Sequence, residues 1–173
     1  MSQPITPRVY VADLAVYNAG RLHGVWIDAT EDVEAMLEEV QAMLDASPEP
    51  TSGEYAIHDT DGFEGIRIDE WASLETVHKM ALFVIEHGRP GAALVDYCCN
   101  DVEEAKRLFE DGCYLGAWES TADYAQDLME QTTEIPDRLA MYVDYQAMAR
   151  DMELNGDIFT IEVDGEIHIF MNG

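Results

Sequence analysis

The 173-residue chain reads as an α+β protein built from three small consecutive segments. Three observations carry that reading. Runs that alternate apolar and polar residues, the pattern of half-buried strands, lie near the two ends of the chain. Runs with apolar residues three and four apart, the pattern of amphipathic helices, fill the middle and separate the strands. The chain closes on Asp164-Gly165 between two alternating runs, a strong short-range signal for a β-hairpin. The length suits one ordinary domain, or two or three small modules sharing a continuous core.

The first segment, residues 1–60, is a sheet-plus-helix unit. Residues 8–12 (RVYVA) alternate as a strand, and Tyr17-Asn18-Ala19-Gly20 forms a turn, where Asn and Gly tolerate positive φ. Residues 22–29 (LHGVWIDA) form a second strand with a bulge expected at Gly24. Thr30 caps a helix over 31–46, with Glu31 and Asp32 favourably placed in its first turn. A linker with Pro48 and Pro50 leads to a third strand at 55–59, beside the first two.

The second segment, 61–116, is helical. A loop with Gly62 and Gly65 precedes a helix capped by Ser73 and ended by Gly88, and Pro90 starts another, reaching about Cys99. Asn100 with Glu103 three residues on has the spacing of a capping box for a helix over 101–111, with Gly112 at its end. The third segment, 117–173, is α+β. Ser120 caps a helix over 121–131, Ile135-Pro136 opens another over 137–152, and Asn155-Gly156 turns the chain into the strands 158–163 and 166–170.

Composition narrows the function. Nine Lys and Arg oppose thirty-six Asp and Glu, for a net charge of −27, and Lys79 and Lys106 are the only lysines. Such a chain repels phosphate backbones and anionic lipid, so direct nucleic-acid or membrane-surface binding is excluded and basic surfaces are the expected partners. The acid is not a tail, because residues 1–60, 61–116 and 117–173 carry net charges of −9, −7 and −11. An apolar content of 47% is that of a globular chain. Residues 1–6 lack the features of a targeting leader, the longest apolar run (80–85) is far too short for a bilayer, and Cys98, Cys99 and Cys113 form no disulfide framework. A cytoplasmic setting follows.

The acids form stripes. On the first helix Val33, Met36, Leu37, Val40 and Leu44 share one side, and Glu31, Glu34, Glu38 and Asp45 fall within about 60° of each other on another. After Ser120, Asp123, Asp127 and Glu130 line one face, which Glu134 extends if the helix persists. Asp137, Asp144 and Asp151 follow at heptad spacing. Like charges four apart destabilise a helix by about 0.2–0.5 kcal/mol per pair, and these stripes contain no lysine to offset that. Duplex DNA carries one charge per about 1.7 Å, so 27 charges match roughly 14 base pairs. Carboxylates four residues apart on a helix rise by about 6 Å, the scale of phosphate spacing. Glu134 aside, these ten acids are the candidate phosphate surrogates.

Other chemistry has little support. Asp59, Asp61, Ile66 and Glu70 match positions of a calcium loop, but Phe63 replaces a ligand and Glu64 the required glycine. The five histidines lack zinc spacing, and no GxSxG, P-loop or GxGxxG occurs. No catalytic residue, cofactor or metal site is expected. The alternative for the composition is an acidic enzyme or binding domain adapted to high salt.

The residues resemble a known family. Residues 10–14 (YVADL) with 17–28 (YNAGRLHGVWID), then 61–63 (DGF) with 68–71 (IDEW) and 73–75 (SLE), are similar to the opening and centre of ArdA-type antirestriction proteins. Ile135-Pro136, Leu139, residues 142–145 (YVDY), Arg150-Asp151, Leu154, Gly156-Asp157 and Phe159 resemble the family's C-terminal signature. The resemblance spans nearly the whole chain. It implies a cytoplasmic protein of mobile elements such as plasmids and conjugative transposons. It also implies an elongated, three-part, dimeric DNA mimic that occupies the DNA-binding groove of type I restriction–modification enzymes, on the methyltransferase core of specificity and modification subunits. Tyr10, Trp26, Tyr142 and Phe159 read as core or interface anchors, and Arg150 as pairing with an internal acid. The middle segment holds five of the nine bases and reads as a helical spacer.

Overall fold

The structure is a computed structural model and describes residues 5–172, so most of the stretch 1–6, where no targeting leader is expected, lies outside the described residues. The architecture is α+β, in two compact units, Met1–Val102 and Glu103–Gly173.

In the first unit β1 (Arg8–Asp13) is the centre of an antiparallel sheet, flanked by β2 (Gly24–Asp28) and β3 (Tyr55–Asp61). Val9, Val11 and Ile27 are fully buried, as alternation along half-buried strands requires. Helix α2 (Val33–Asp45) packs on this sheet through Met36, Val40 and Met43, and α3 (Leu74–Tyr97) packs on α2. Burying each such side chain contributes about 1.5–3 kcal/mol, the main force opposing the repulsion among surface acids.

The other face of the sheet carries a ladder of large side chains. Tyr10 faces Trp26 at 5.5 Å between ring centres, and the Arg8 guanidinium lies 4.8 Å above the Trp26 ring. Gly24 pairs with Ala12 in regular register, and the bulge expected there occurs instead between β1 and β3, at Tyr10/Val11. The reason for glycine is space: a Cβ at 24 would sit 2.4 Å from the Val11 carbonyl oxygen and 2.7 Å from the Tyr10 ring.

Asp13 joins three pieces of chain. It ends β1 and caps α1 (Leu14–Asn18), a short helix where a simple turn was expected. The fully buried carboxylate accepts from the amides of Ala15 and Val16 and, at 2.7 Å, from the Ser52 hydroxyl of the linker before β3. Burial pushes this carboxyl up, but hydrogen bonds from Ser47, Ser52 and the two amides outweigh it and hold it below its ordinary 3.8.

Helix α3 fuses the two helices expected over 73–99. Gly88, at φ 63° and ψ −149°, breaks it internally in a conformation open to glycine, and Pro90 follows. Asn100 is not the expected cap: its side-chain amide donates to the Arg67 carbonyl, and its backbone has φ 67°.

Helix α4 (Val102–Glu110) leads into the second unit, where a strand not expected from the sequence, β4 (Tyr114–Trp118), pairs with β6 (Glu166–Met171), which pairs in turn with β5 (Ile158–Val163). The β5–β6 hairpin turns at Asp164 and Gly165, both at positive φ, as its two-residue loop requires. Phe170 is its hub, fully buried and stacked on Phe159 at 5.1 Å, with Phe109 edge-on at 5.4 Å. The Tyr114 hydroxyl bonds Nδ1 of buried His168 at 2.8 Å. Helices α5 (Thr121–Thr132) and α7 (Tyr145–Leu154) pack together, with Ala125 and Ala149 buried. The single helix expected over 137–152 is two pieces, α6 (Asp137–Ala140) and α7, separated by a turn.

Asp13→Ala removes the acceptor for two amides and a hydroxyl. It is expected to cost about 2–3 kcal/mol, or roughly 5–10 °C in thermal melting. The folded carboxyl titrates below 3.8, so its stabilisation is fully present above that pH and is lost as the pH falls further. Asp13→Asn should lack that part of the acid loss in a denaturation series from pH 7 to 2.

Candidate functional site

Helix α2 starts at Val33, two residues later than expected. Thr30 does not cap it; its amide and hydroxyl both donate to Asp28, at 2.8 and 2.6 Å, and Asp32 holds the N-cap position. Glu31 therefore stands in the turn before the helix and not on it. Glu34, Glu38 and Asp45 keep their common face, all exposed, within about 40° of each other. Leu37 also departs from expectation, being 45% exposed while Met43 takes the buried position.

The displaced Glu31 brings together a group that helical projection missed. Burial, a hydrogen bond with the Glu31 carboxyl and the charges of Glu31 and Asp28 push the Glu39 carboxyl above its ordinary range. Three acids thus converge where β2 gives way to α2. Folding brings Asp28 and Glu39 together across eleven residues of chain, so no local spacing announces the group.

Helix α5 holds the second face as expected. Ser120 caps it through the Asp123 amide, and Asp123, Asp127 and Glu130 follow on one side, with Asp127 half-buried. The face ends there, because Thr133 is extended (φ −140°, ψ 130°) and Glu134 lies beyond the helix. The third series is not one helical stripe. Asp137 is on α6, Asp144 is the N-cap of α7 and accepts from the Ala147 amide at 3.0 Å, and Asp151 is inside α7. All three are exposed, but the turn at 141–144 breaks the heptad geometry.

The bases are arranged to complement this. Arg8 pairs with Asp61, Arg21 with Glu49, Lys79 with Glu75, Arg89 with Glu64, Lys106 with Glu110 and Arg107 with Glu104. None of these acids belongs to the ten candidates. Among the described residues, no Lys, Arg or His lies within 4 Å of Glu31, Glu34, Glu38, Asp45, Asp123, Asp127, Glu130, Asp137, Asp144 or Asp151. Three of the ten accept from a glutamine amide instead: Asp45 from Gln41, Glu130 from Gln126 and Asp127 from Gln131. These bonds leave the negative charge intact.

Among the described residues Arg150 does not pair with an acid as expected. It is exposed and lines a shallow cavity with Ser120, Thr121, Gln146 and Glu153. Tyr142, read as an anchor, is 76% exposed, and its neighbours Leu139 and Met141 and, at the end of α7, Leu154 are exposed too. Tyr10, Trp26 and Phe159 do pack, as described above.

Three other residues weighed as ligands have structural occupations. Asp61 of the calcium-like loop lies in β3 and pairs with Arg8. His23 and His78 bond the carbonyls of Met43 and Ala29. Among the described residues no group of three or more His, Cys, Asp or Glu is placed to hold a metal ion, and no helix is long and apolar enough to cross a membrane.

No curated protein matches the chain significantly. The family model described as antirestriction protein (ArdA) matches residues 9–165, nearly the whole length. The chain, with its unneutralised acidic faces, belongs to the ArdA family of antirestriction proteins.

Proposed function

We propose that this protein inhibits type I restriction–modification enzymes by lying, in place of duplex DNA, in the groove of the methyltransferase core formed by the specificity and modification subunits. Antirestriction proteins of this family protect DNA by mimicking it and are not enzymes. Genes of this kind travel on mobile elements such as plasmids and conjugative transposons, whose DNA meets restriction on entering a new cytoplasm.

The carrying observation is that every base with a carboxylate partner pairs outside the ten candidate acids. A DNA-binding groove draws much of its affinity from phosphate contacts that carry no sequence information. Carboxylates at phosphate-like spacing satisfy the same arginines and lysines without bases to read. Glu31, Glu34, Glu38 and Asp45 in the first unit and Asp123, Asp127, Glu130, Asp137, Asp144 and Asp151 in the second are the proposed phosphate surrogates. Helices α3 and α4, whose Glu75, Glu104 and Glu110 are paired with bases, contribute less and act as a spacer.

The active form is proposed to be a homodimer. Leu139, Met141, Tyr142 and Leu154 are 48–80% exposed within one short stretch, and Arg138 and Arg150 beside them have no acid partner among the described residues. A second copy supplies both apolar cover and carboxylates for these arginines.

Unmodified phage plated on a restricting host should form plaques when the protein is expressed. Single Glu→Gln or Asp→Asn changes among the ten acids should alter protection by no more than about twofold. Replacing Glu31, Glu34, Glu38 and Asp45 together should restore restriction and lower the salt dependence of binding by about 3–4 in log–log slope. Unchanged protection by that quadruple variant would remove α2 from the contact surface. By light scattering the protein should be a dimer, and Leu139→Asp with Tyr142→Asp should make it a monomer; an unaffected dimer would place the interface elsewhere.

A further inference from the structure

The glutamines of the acidic faces carry an inference that rests on the mimicry just proposed. We infer that Gln41, Gln126 and Gln131 are positioning residues, which hold the carboxylates of Asp45, Glu130 and Asp127 in fixed directions without discharging them.

The geometry is the same at all three positions. Gln41 Nε2 donates to Asp45 Oδ1 at 2.8 Å, Gln126 Nε2 to Glu130 Oε1 at 2.9 Å and Gln131 Nε2 to Asp127 Oδ2 at 2.8 Å, each across four residues of helix. The direction of each bond is settled by chemistry, because an ionised carboxylate only accepts and of the amide only the NH2 end donates. On α5 the two pairs interleave, 126 to 130 and 131 to 127, so neighbouring carboxylates are held from opposite ends.

Elsewhere the chain solves the same local problem differently. At the same spacing α3 joins Lys79 to Glu75 at 3.5 Å and α4 joins Lys106 to Glu110 at 3.9 Å, while Arg107 holds Glu104 at 2.6 Å across three residues. A lysine or arginine stabilises the helix and cancels the charge. A glutamine in that position stabilises the helix and leaves the charge. The chain has five glutamines; Gln3 lies outside the described residues, and of the other four only Gln146 makes no such bond. Amide donors therefore fall where charge is to be displayed, and cationic donors where it is not.

A fixed carboxylate binds a fixed arginine better than a free one, because less side-chain freedom is lost when the complex forms. The gain is bounded by the strength of an exposed helical hydrogen bond, about 1.5- to 2-fold per pair, so three pairs together give about three- to tenfold.

The test compares full-length variants for inhibition of plasmid cleavage by a type I restriction enzyme over a range of salt concentrations. Gln→Met at 41, 126 and 131 keeps length, helix propensity and net charge but removes the donors. This variant should inhibit about three- to tenfold less well, with the parent's salt slope and a melting temperature lower by no more than about 6 °C, the share of the three lost helical bonds. Gln→Lys at the same positions keeps a donor but cancels three charges, and should lose more with a shallower slope. A Met variant as potent as an inhibiting parent overturns the positioning role and leaves the mimicry standing. A Met variant that loses potency and melts more than about 10 °C below the parent also overturns it, since the loss is then one of folding. A parent that fails to inhibit overturns the mimicry, and the role of the glutamines with it.

Discussion

Everything in this protein depends on where its few cations are put. A chain with four acids for every base has little freedom to neutralise itself, and its strongest choice is which acids to leave bare. Here Arg8, Arg21, Lys79, Arg89, Lys106 and Arg107 pair with acids away from the candidate faces. The candidate acids on α2 and α5 are left without a cationic partner among the described residues, as the proposed mimicry requires. General acidity for solubility has no need of such partition, whereas a surface meant to satisfy a basic groove does.

The fold absorbs the repulsion by ordinary means. Cores of Val, Ile, Met and Phe under each sheet supply the favourable free energy. Several acids also work locally. Glu34, Glu75, Asp123 and Asp137 stand in the first turns of their helices, where the helix dipole favours negative charge, and Asp13 and Asp144 cap α1 and α7. Asp13 is the most engaged of these, buried and bonded to three donors. Glu39 is the opposite case, a half-buried acid pressed against Glu31 and Asp28 and held above its ordinary pKa. One acid is thus used to hold the fold, and another sits at a local cost where charge is concentrated.

Legibility followed the range of the interaction. The strands at 8–12 and 55–59, the Ser120 cap and its acidic face, and the Asp164-Gly165 hairpin were readable because each is set by residues within a few positions of one another. The misses came where an acid or amide had two local uses. Asp144 has the spacing of a heptad acid but caps a new helix, and Asn100 has the spacing of a cap but donates to Arg67 across thirty-three residues. Strand β4 was hidden by its brevity and by Gly116 at φ 100°, and it exists because β6 offers it an edge. The ion-pair partition was legible only in part: Lys79, Lys106 and Arg107 pair with acids three or four residues away, whereas Arg8 and Arg21 find theirs 53 and 28 residues away.

The most direct test is competition. Fluorescent duplex DNA bound to a type I methyltransferase core of specificity and modification subunits should be released as the protein is titrated in, with one curve describing both DNA loss and protein binding. A ternary complex, in which the protein binds the core while the duplex stays in place, would contradict the account.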